Sequence, residues 1–155
     1  MKNKKEIVKI KNQDYLLNIG VLKECFKIIK NIDFSKNDNT ISEKFIIYYS
    51  LYNQIINILA SYLCEGEHNH MYIKNNIDLS NDPITDELIE SVSKNKLVKI
   101  RNNISAHPLL VGNKHELNLP DLDLIEFWIS KLDLLIHKHI HEDIKNIDWY
   151  TFGDV

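Results

Sequence analysis

Arginine is almost missing from this chain. Of 19 Lys+Arg positions in 155 residues, only Arg101 is arginine and the rest are lysine. Glycine (4) and proline (3) are scarce as well, too few for the many tight turns of a β-rich chain. There are two cysteines, Cys25 and Cys64, with no Cys-x-x-Cys spacing. That excludes a disulfide framework and the usual zinc or redox motifs, and reads as buried free thiols in a reducing compartment. Net charge is −3, which argues against a protein that coats nucleic acid broadly but leaves room for a local basic pocket. Long apolar runs are absent too. The most apolar segment, Phe45 to Leu63, has Asn53, Gln54 and Asn57 in its middle and Ser50 and Ser61 beside them, so it reads as a buried helix and not a membrane span. The basic start, Met1 to Glu6, runs into Asn12, Gln13 and Asp14 without an apolar stretch. No secretory signal is expected, and a cytoplasmic protein is.

What remains is ordinary for a globular chain: 44% hydrophobic and 26% charged residues, in a length that favours one domain with a real core. The apolar spacing is helical and predicts an all-α, small up-and-down bundle of four to five helices. Residues 1–12 read as a flexible lead-in or a short helix, and 13–155 as a single helical domain. The first helix is expected from about Asp14 to about Ile32, with Tyr15, Ile19, Leu22, Phe26 and Ile29 on one stripe. The second, capped by Thr40 or Ser42, runs to about Cys64. Its apolar residues cover most of the circumference, which implies a central position or burial by a partner chain. A long loop, Gly66 to Asn81, follows. The third helix begins at Asp82-Pro83, with acidic residues at its start and Lys94, Lys96, Lys99 and Arg101 later, and its apolar phase slips between Ser93 and Lys96. Pro108 is the expected stop. The fourth helix is expected from about Asp121 to about Ile144, and Trp149, Tyr150 and Phe152 are expected to fold back onto the bundle.

In a chain that has given nearly every cationic position to lysine, a retained arginine points to something lysine lacks: a planar fork of donors that holds a phosphate or carboxylate at two places. His107, six positions on, supplies a group that moves protons near neutral pH. On one straight helix the two would lie about 9 Å apart along the axis and about 120° apart in direction. They can act together only where the helix unwinds before Pro108, or across a two-fold axis between two chains. The second arrangement suits phosphodiester cleavage, which needs one group to accept a proton, one to donate a proton, and a cation on the phosphorus. Asn102 fits as a polar ligand for a phosphate or base, with Lys99 as a second substrate-binding residue. The plainer reading of the same residues is a cationic helix C-terminus favoured by the helix dipole.

Arg101-Asn102 followed by Ala106-His107-Pro108, near the end of the third helix of a small helical bundle, resembles the HEPN superfamily (higher eukaryotes and prokaryotes nucleotide-binding), whose signature is Arg, commonly a polar residue, and His after a gap of four to six. The closest likeness is to bacterial abortive-infection, toxin-like members. The resemblance covers the helical layout of most of the chain, while the motif itself spans seven residues. It implies an HEPN-like domain acting as a metal-independent endoribonuclease, a toxin or phage-defence effector without cofactor, whose active site forms across a homodimer. It gives Arg101 the scissile phosphate, His107 general acid/base work and Asn102 the orienting of the phosphate, with RNA as substrate and a cognate antitoxin such as a nucleotidyltransferase as partner. Some relatives carry a tyrosine two residues after the histidine that the antitoxin modifies; here that residue is Leu109. Other members of the superfamily are silent scaffolds, so the alternative is an inactive helical module that binds a partner protein or nucleotide.

Other histidines have a plainer expectation. His137 and His141 have the i, i+4 spacing to share a metal, but nearby residues do not complete a convincing ligand set, so His137, His139 and His141 read as a solvated face. His68 and His70 fall in the long loop, and nothing in the sequence connects them to any other group. Tyr48, Tyr49 and Tyr52 read as core or interface, not as base-stacking platforms.

Overall fold

Apolar residues three and four apart coil the chain into helices that bury one stripe each. The computed structural model describes residues 3–36, 40–106 and 119–141. Among them are six α-helices and no strand: α1 Lys4–Lys30, α2 Ile41–Leu63, α3 Ile73–Asn76, α4 Pro83–Lys94, α5 Leu97–Ala106 and α6 Leu122–His139. The fold is all-α. α1 packs on α2 and α6, α2 on α5, and α4 on both α5 and α6.

The stripe expected on α1 is the buried one: Tyr15, Ile19, Leu22, Phe26 and Ile29 all lie in the core. The helix starts at Lys4 and not near Asp14. No breaker separates Lys4 from Asp14, and the early turns gain a tether when Lys11 Nζ donates to Asn76 Oδ1 at 2.7 Å and to the His70 carbonyl at 3.2 Å. Asp14 therefore lies inside the helix. Its carboxylate accepts from Asn18 Nδ2 at 2.9 Å and from the Tyr62 hydroxyl at 3.3 Å, and burial raises its pKa. Burial likewise pushes the Tyr62 phenol up and takes Tyr15 to about 12.

α2 divides into two halves. From Tyr52 to Leu63 it is core, with Ile55, Ile56, Leu59 and Ala60 fully covered. Before that it is open: Phe45, Ile46, Ile47 and Tyr49 are exposed, Ile46 by 66%. Thr40 takes the N-cap position without a side-chain capping bond. Tyr52 is core, stacked on half-buried Tyr48, and its hydroxyl donates to the Pro120 carbonyl at 2.8 Å. No helix among the described residues is long and apolar enough to cross a membrane.

The expected third helix is two helices. α4 starts where Asp82-Pro83 directs, with the Asp82 carboxylate accepting from the Ile84 amide at 3.0 Å. It stops at Lys94 because Lys96 adopts φ 55°, a left-handed backbone that turns the chain before α5. The slip in apolar phase between Leu88/Val92 and Leu97/Ile100 is thereby resolved: all four are buried, two from each helix. The loop from Gly66 to Asn81 also contains the one-turn α3, whose Ile73 is fully buried. α6 begins with Asp121 as its cap and ends at His139, short of Ile144. It buries Ile125, Trp128, Ile129, Leu132, Leu135 and Ile136 as expected. Full burial of side chains this size stabilises by roughly 1.5–3 kcal/mol each. Trp128 Nε1 donates to Ser91 Oγ at 2.9 Å, so the ring enters the core with its polar atom satisfied. Both cysteines are buried free thiols. Pro108, Trp149, Tyr150 and Phe152 lie outside the described residues.

Candidate functional site

α5 is short, and its apolar residues decide what its other sides can do. Leu97 and Ile100 point into the core, with Ile104 half-buried a turn later. Lys99, Asn102 and Asn103, three and four residues apart, then share one outward face, and Asn103 Nδ2 is folded back onto the Lys99 carbonyl at 2.7 Å. Val98 and Arg101 share another. Two clefts meet these faces, and Val98 lines both. The larger, about 630 Å³, runs between α4, α5 and the end of α2, and takes in Lys96, Lys99, Asn102, Asn103, Ser93 and Tyr72. The smaller, about 320 Å³, is lined by Arg101 and Val98 on one side and by His68, Asn69 and Gly66 on the other. Cys64 and Glu65 border both.

A side-chain contact also runs from one cleft to the other. Asn102 Oδ1 accepts from Arg101 Nε at 3.3 Å and from Nη2 at 3.2 Å, so the amide steadies the guanidinium at the boundary. Among the described residues no carboxylate pairs with Arg101. Glu65 is the one acid among the described lining residues of both clefts, against Lys96, Lys99 and Arg101. A chain with net charge −3 thus has a locally cationic surface here. The guanidinium is also felt by Cys64, whose thiol burial pushes up to about 11 while Arg101 pulls it partly back. Burial raises the Tyr72 phenol too, helped by Glu65 and Cys64.

The structure therefore puts Lys99 and Asn102 in one cleft and Arg101 in the next, with Asn102 hydrogen-bonded to Arg101. His107 lies outside the described residues; α5 itself runs as far as Ala106.

The loop after α2 is the part of the site that sequence reasoning missed. Asn69 clips it down: Nδ2 donates to the Ser61 carbonyl at 2.8 Å and the Cys64 carbonyl at 2.7 Å, and Oδ1 accepts from the Met71 amide at 3.2 Å. These bonds satisfy carbonyls that a helix end would leave open and fix the loop whose His68 lines the same cleft as Arg101. The sequence signal was only a Gly-Glu-His-Asn-His loop following an apolar helix, with nothing to indicate that α5 packs there.

The histidines near the end of α6 have other partners. His137 Nδ1 lies 2.8 Å from Asp133 Oδ1, and His139 Nε2 lies 2.9 Å from Asp82 Oδ2. His139 is thus half-buried on a carboxylate and not on a solvated face. No three metal-ligating side chains converge among the described residues. No family model, no curated protein and no solved structure matches this chain.

Proposed function

We propose that this protein is a metal-independent endoribonuclease of HEPN-like character, acting as a toxin or phage-defence effector in the cytoplasm. The observation that carries this reading is the Arg101 guanidinium: steadied by Asn102, unpaired with any described carboxylate, and lining a cleft whose neighbour is lined by Lys96 and Lys99. An unneutralised fork of this kind is suited to a phosphate oxygen. Arg101 holds the scissile phosphate and stabilises the charge that builds on it. Asn102 orients the same group, and Lys99 takes an adjacent phosphate along the strand. His107 moves a proton while the 2′-hydroxyl attacks the neighbouring phosphorus, leaving a 2′,3′-cyclic phosphate and a 5′-hydroxyl.

The active unit in this reading is a homodimer that brings two copies of the motif together. The exposed start of α2, with Phe45, Ile46, Ile47 and Tyr49, supports it as the surface a second chain covers. That same surface favours the second reading, a silent helical module that docks on another protein. A nucleotidyltransferase antitoxin fits either reading as a binding partner, although Leu109 replaces the tyrosine that some relatives offer for modification.

Incubation with total RNA in EDTA separates the two. The wild type is expected to cleave, and Arg101→Ala and His107→Ala are expected to be inactive at unchanged thermal stability. Cleavage that persists in both variants rules out the nuclease reading.

A further inference from the structure

Four tyrosines are buried among the described residues, and three of their hydroxyls are used inside the fold. Tyr15 donates to the Met71 carbonyl, Tyr52 to the Pro120 carbonyl and Tyr62 to Asp14. Tyr72 is the exception. The residue is 6% exposed, yet its hydroxyl has no hydrogen-bond partner among the described residues. Buried tyrosine hydroxyls usually find one. Its oxygen is not sealed in either, unlike Thr85 Oγ1 and Asn53 Oδ1. It therefore opens on accessible space, and the space that Tyr72 lines is the larger cleft. Glu65 and Cys64, whose charges the phenol feels, border the same cleft.

We propose that this cleft is a binding site for a small organic anion carried on an apolar ring, such as an aryl phosphate, with the head group at the start of α5 and the Tyr72 hydroxyl donating to it. Neither Arg101 nor the smaller cleft takes part, so the site stands apart from the nuclease reading.

The anionic end follows from α5. Its first residues, Leu97, Val98 and Lys99, line the cleft. First-turn amides have no acceptor within their own helix, and together with the helix dipole they favour an anion. No side chain caps these three amides among the described residues. Lys99 stands in that first turn, where the dipole disfavours a cation. Neither Lys99 nor Lys96 has a carboxylate partner among the described residues. Lys96 is also held at φ 55°, a backbone that disfavours a side chain. Two unpaired lysines around an open helix start do little for the fold, and a bound anion supplies the missing charge. The apolar end follows from the cleft wall of Leu63, Ile89, Val92 and Leu97. The volume of about 630 Å³ suits a small ligand and not a mere ion.

The test is a titration of the full, 15N-labelled chain with phenyl phosphate, followed by amide shifts in NMR spectra. Inorganic phosphate supplies the head alone and phenol the ring alone. Phenyl phosphate is expected to saturate with a Kd of about 1 mM or below, to move the Leu97, Val98 and Lys99 amides, and to bind more tightly than either fragment. Tyr72→Phe keeps the ring and is expected to weaken binding about 3- to 10-fold without lowering the unfolding temperature, which a structural hydroxyl would not allow. Lys99→Gln is expected to weaken it about 5-fold or more, and Lys74→Gln, outside the cleft, not at all. The site is ruled out if phenyl phosphate leaves those three amides unmoved, or if Tyr72→Phe and Lys99→Gln both bind as the wild type does. Equal binding of inorganic phosphate would remove the ring from the account, and equal binding of phenol the anion; either overturns the proposal. A short single-stranded RNA that moves these amides where phenyl phosphate does not would make the cleft part of an RNA groove, and the small-anion site would be wrong.

Discussion

Two polar clusters on this molecule use similar residues to opposite ends. At the start of α4, the Asp82 carboxylate is 4% exposed and is surrounded by partners. It accepts from Lys138 Nζ at 2.9 Å, from His139 Nε2 at 2.9 Å and from the Ile84 amide at 3.0 Å. The imidazole of His139 first, and then the Lys138 ammonium, hold its carboxyl down to about 2. Every charge there is spoken for, and the product is a staple from α6 to α4. In the middle of α5, the Arg101 guanidinium is hydrogen-bonded to the neutral Asn102 amide and lines a cleft. A cation with no counter-ion among the described residues gains nothing for the fold. Saturated clusters hold structure together, whereas unsaturated ones are places where a ligand supplies the missing charge.

The comparison can be broken at several points. The largest expected effect is at Arg101. Arg101→Lys keeps the charge and removes the fork, so RNA cleavage should fall by about 100- to 1,000-fold while the urea midpoint stays put. A midpoint that moves as far as that of an Asp82 variant would make Arg101 structural after all.

Next comes Asp82→Ala, which removes a helix cap and two charge-assisted bonds whose outer partners are partly solvated. About 2–3 kcal/mol of stability should be lost in equilibrium unfolding, with cleavage per folded molecule retained. Asp82→Asn keeps a capping oxygen and isolates the charge. Because the folded carboxyl lies below its ordinary value of 3.8, at about 2, its contribution is fully present above about pH 4 and lost as pH falls toward 2. The gap between wild type and Asp82→Asn should close over that window in acid titrations followed by circular dichroism. A gap that stays constant to pH 2 would remove the charge from the account.

The smallest effect sharpens the electrostatics of the cleft. Only the thiolate reacts, and burial keeps the Cys64 thiol near 11 with Arg101 opposing. Alkylation of Cys64 at pH 8 should be slow in the native protein, slower again in Arg101→Ala, and fast in urea. Equal native rates in the two proteins would mean that the guanidinium does not reach the thiol.

Much of the helical framework is legible from local pattern. The stripe of α1, the cap-and-proline start of α4 and the buried face of α6 all follow from residues close together in the chain. Local pattern read less well where it had to be compared with distant partners. The start of α1 moved back to Lys4, in company with a tether from Lys11 to Asn76 across 65 positions. The break at Lys96 was visible only as a slip in apolar phase, since a left-handed lysine carries no composition signal. His139 read as solvated because its carboxylate partner is 57 positions away.

The sequence by itself determined that this chain is helical, that its cysteines are free, and that one arginine stands apart from a field of lysines. Those are matters of composition and of spacing within a turn or two. Only the tertiary structure decided which cations are neutralised. The packing of α6 on α4 brings Lys138 and His139 to Asp82. The packing of α5 on α2 brings Arg101 to the His68 loop, with no carboxylate among the described residues to pair it. Charge pairing depends on distance through space, and the order of residues along a chain does not state it.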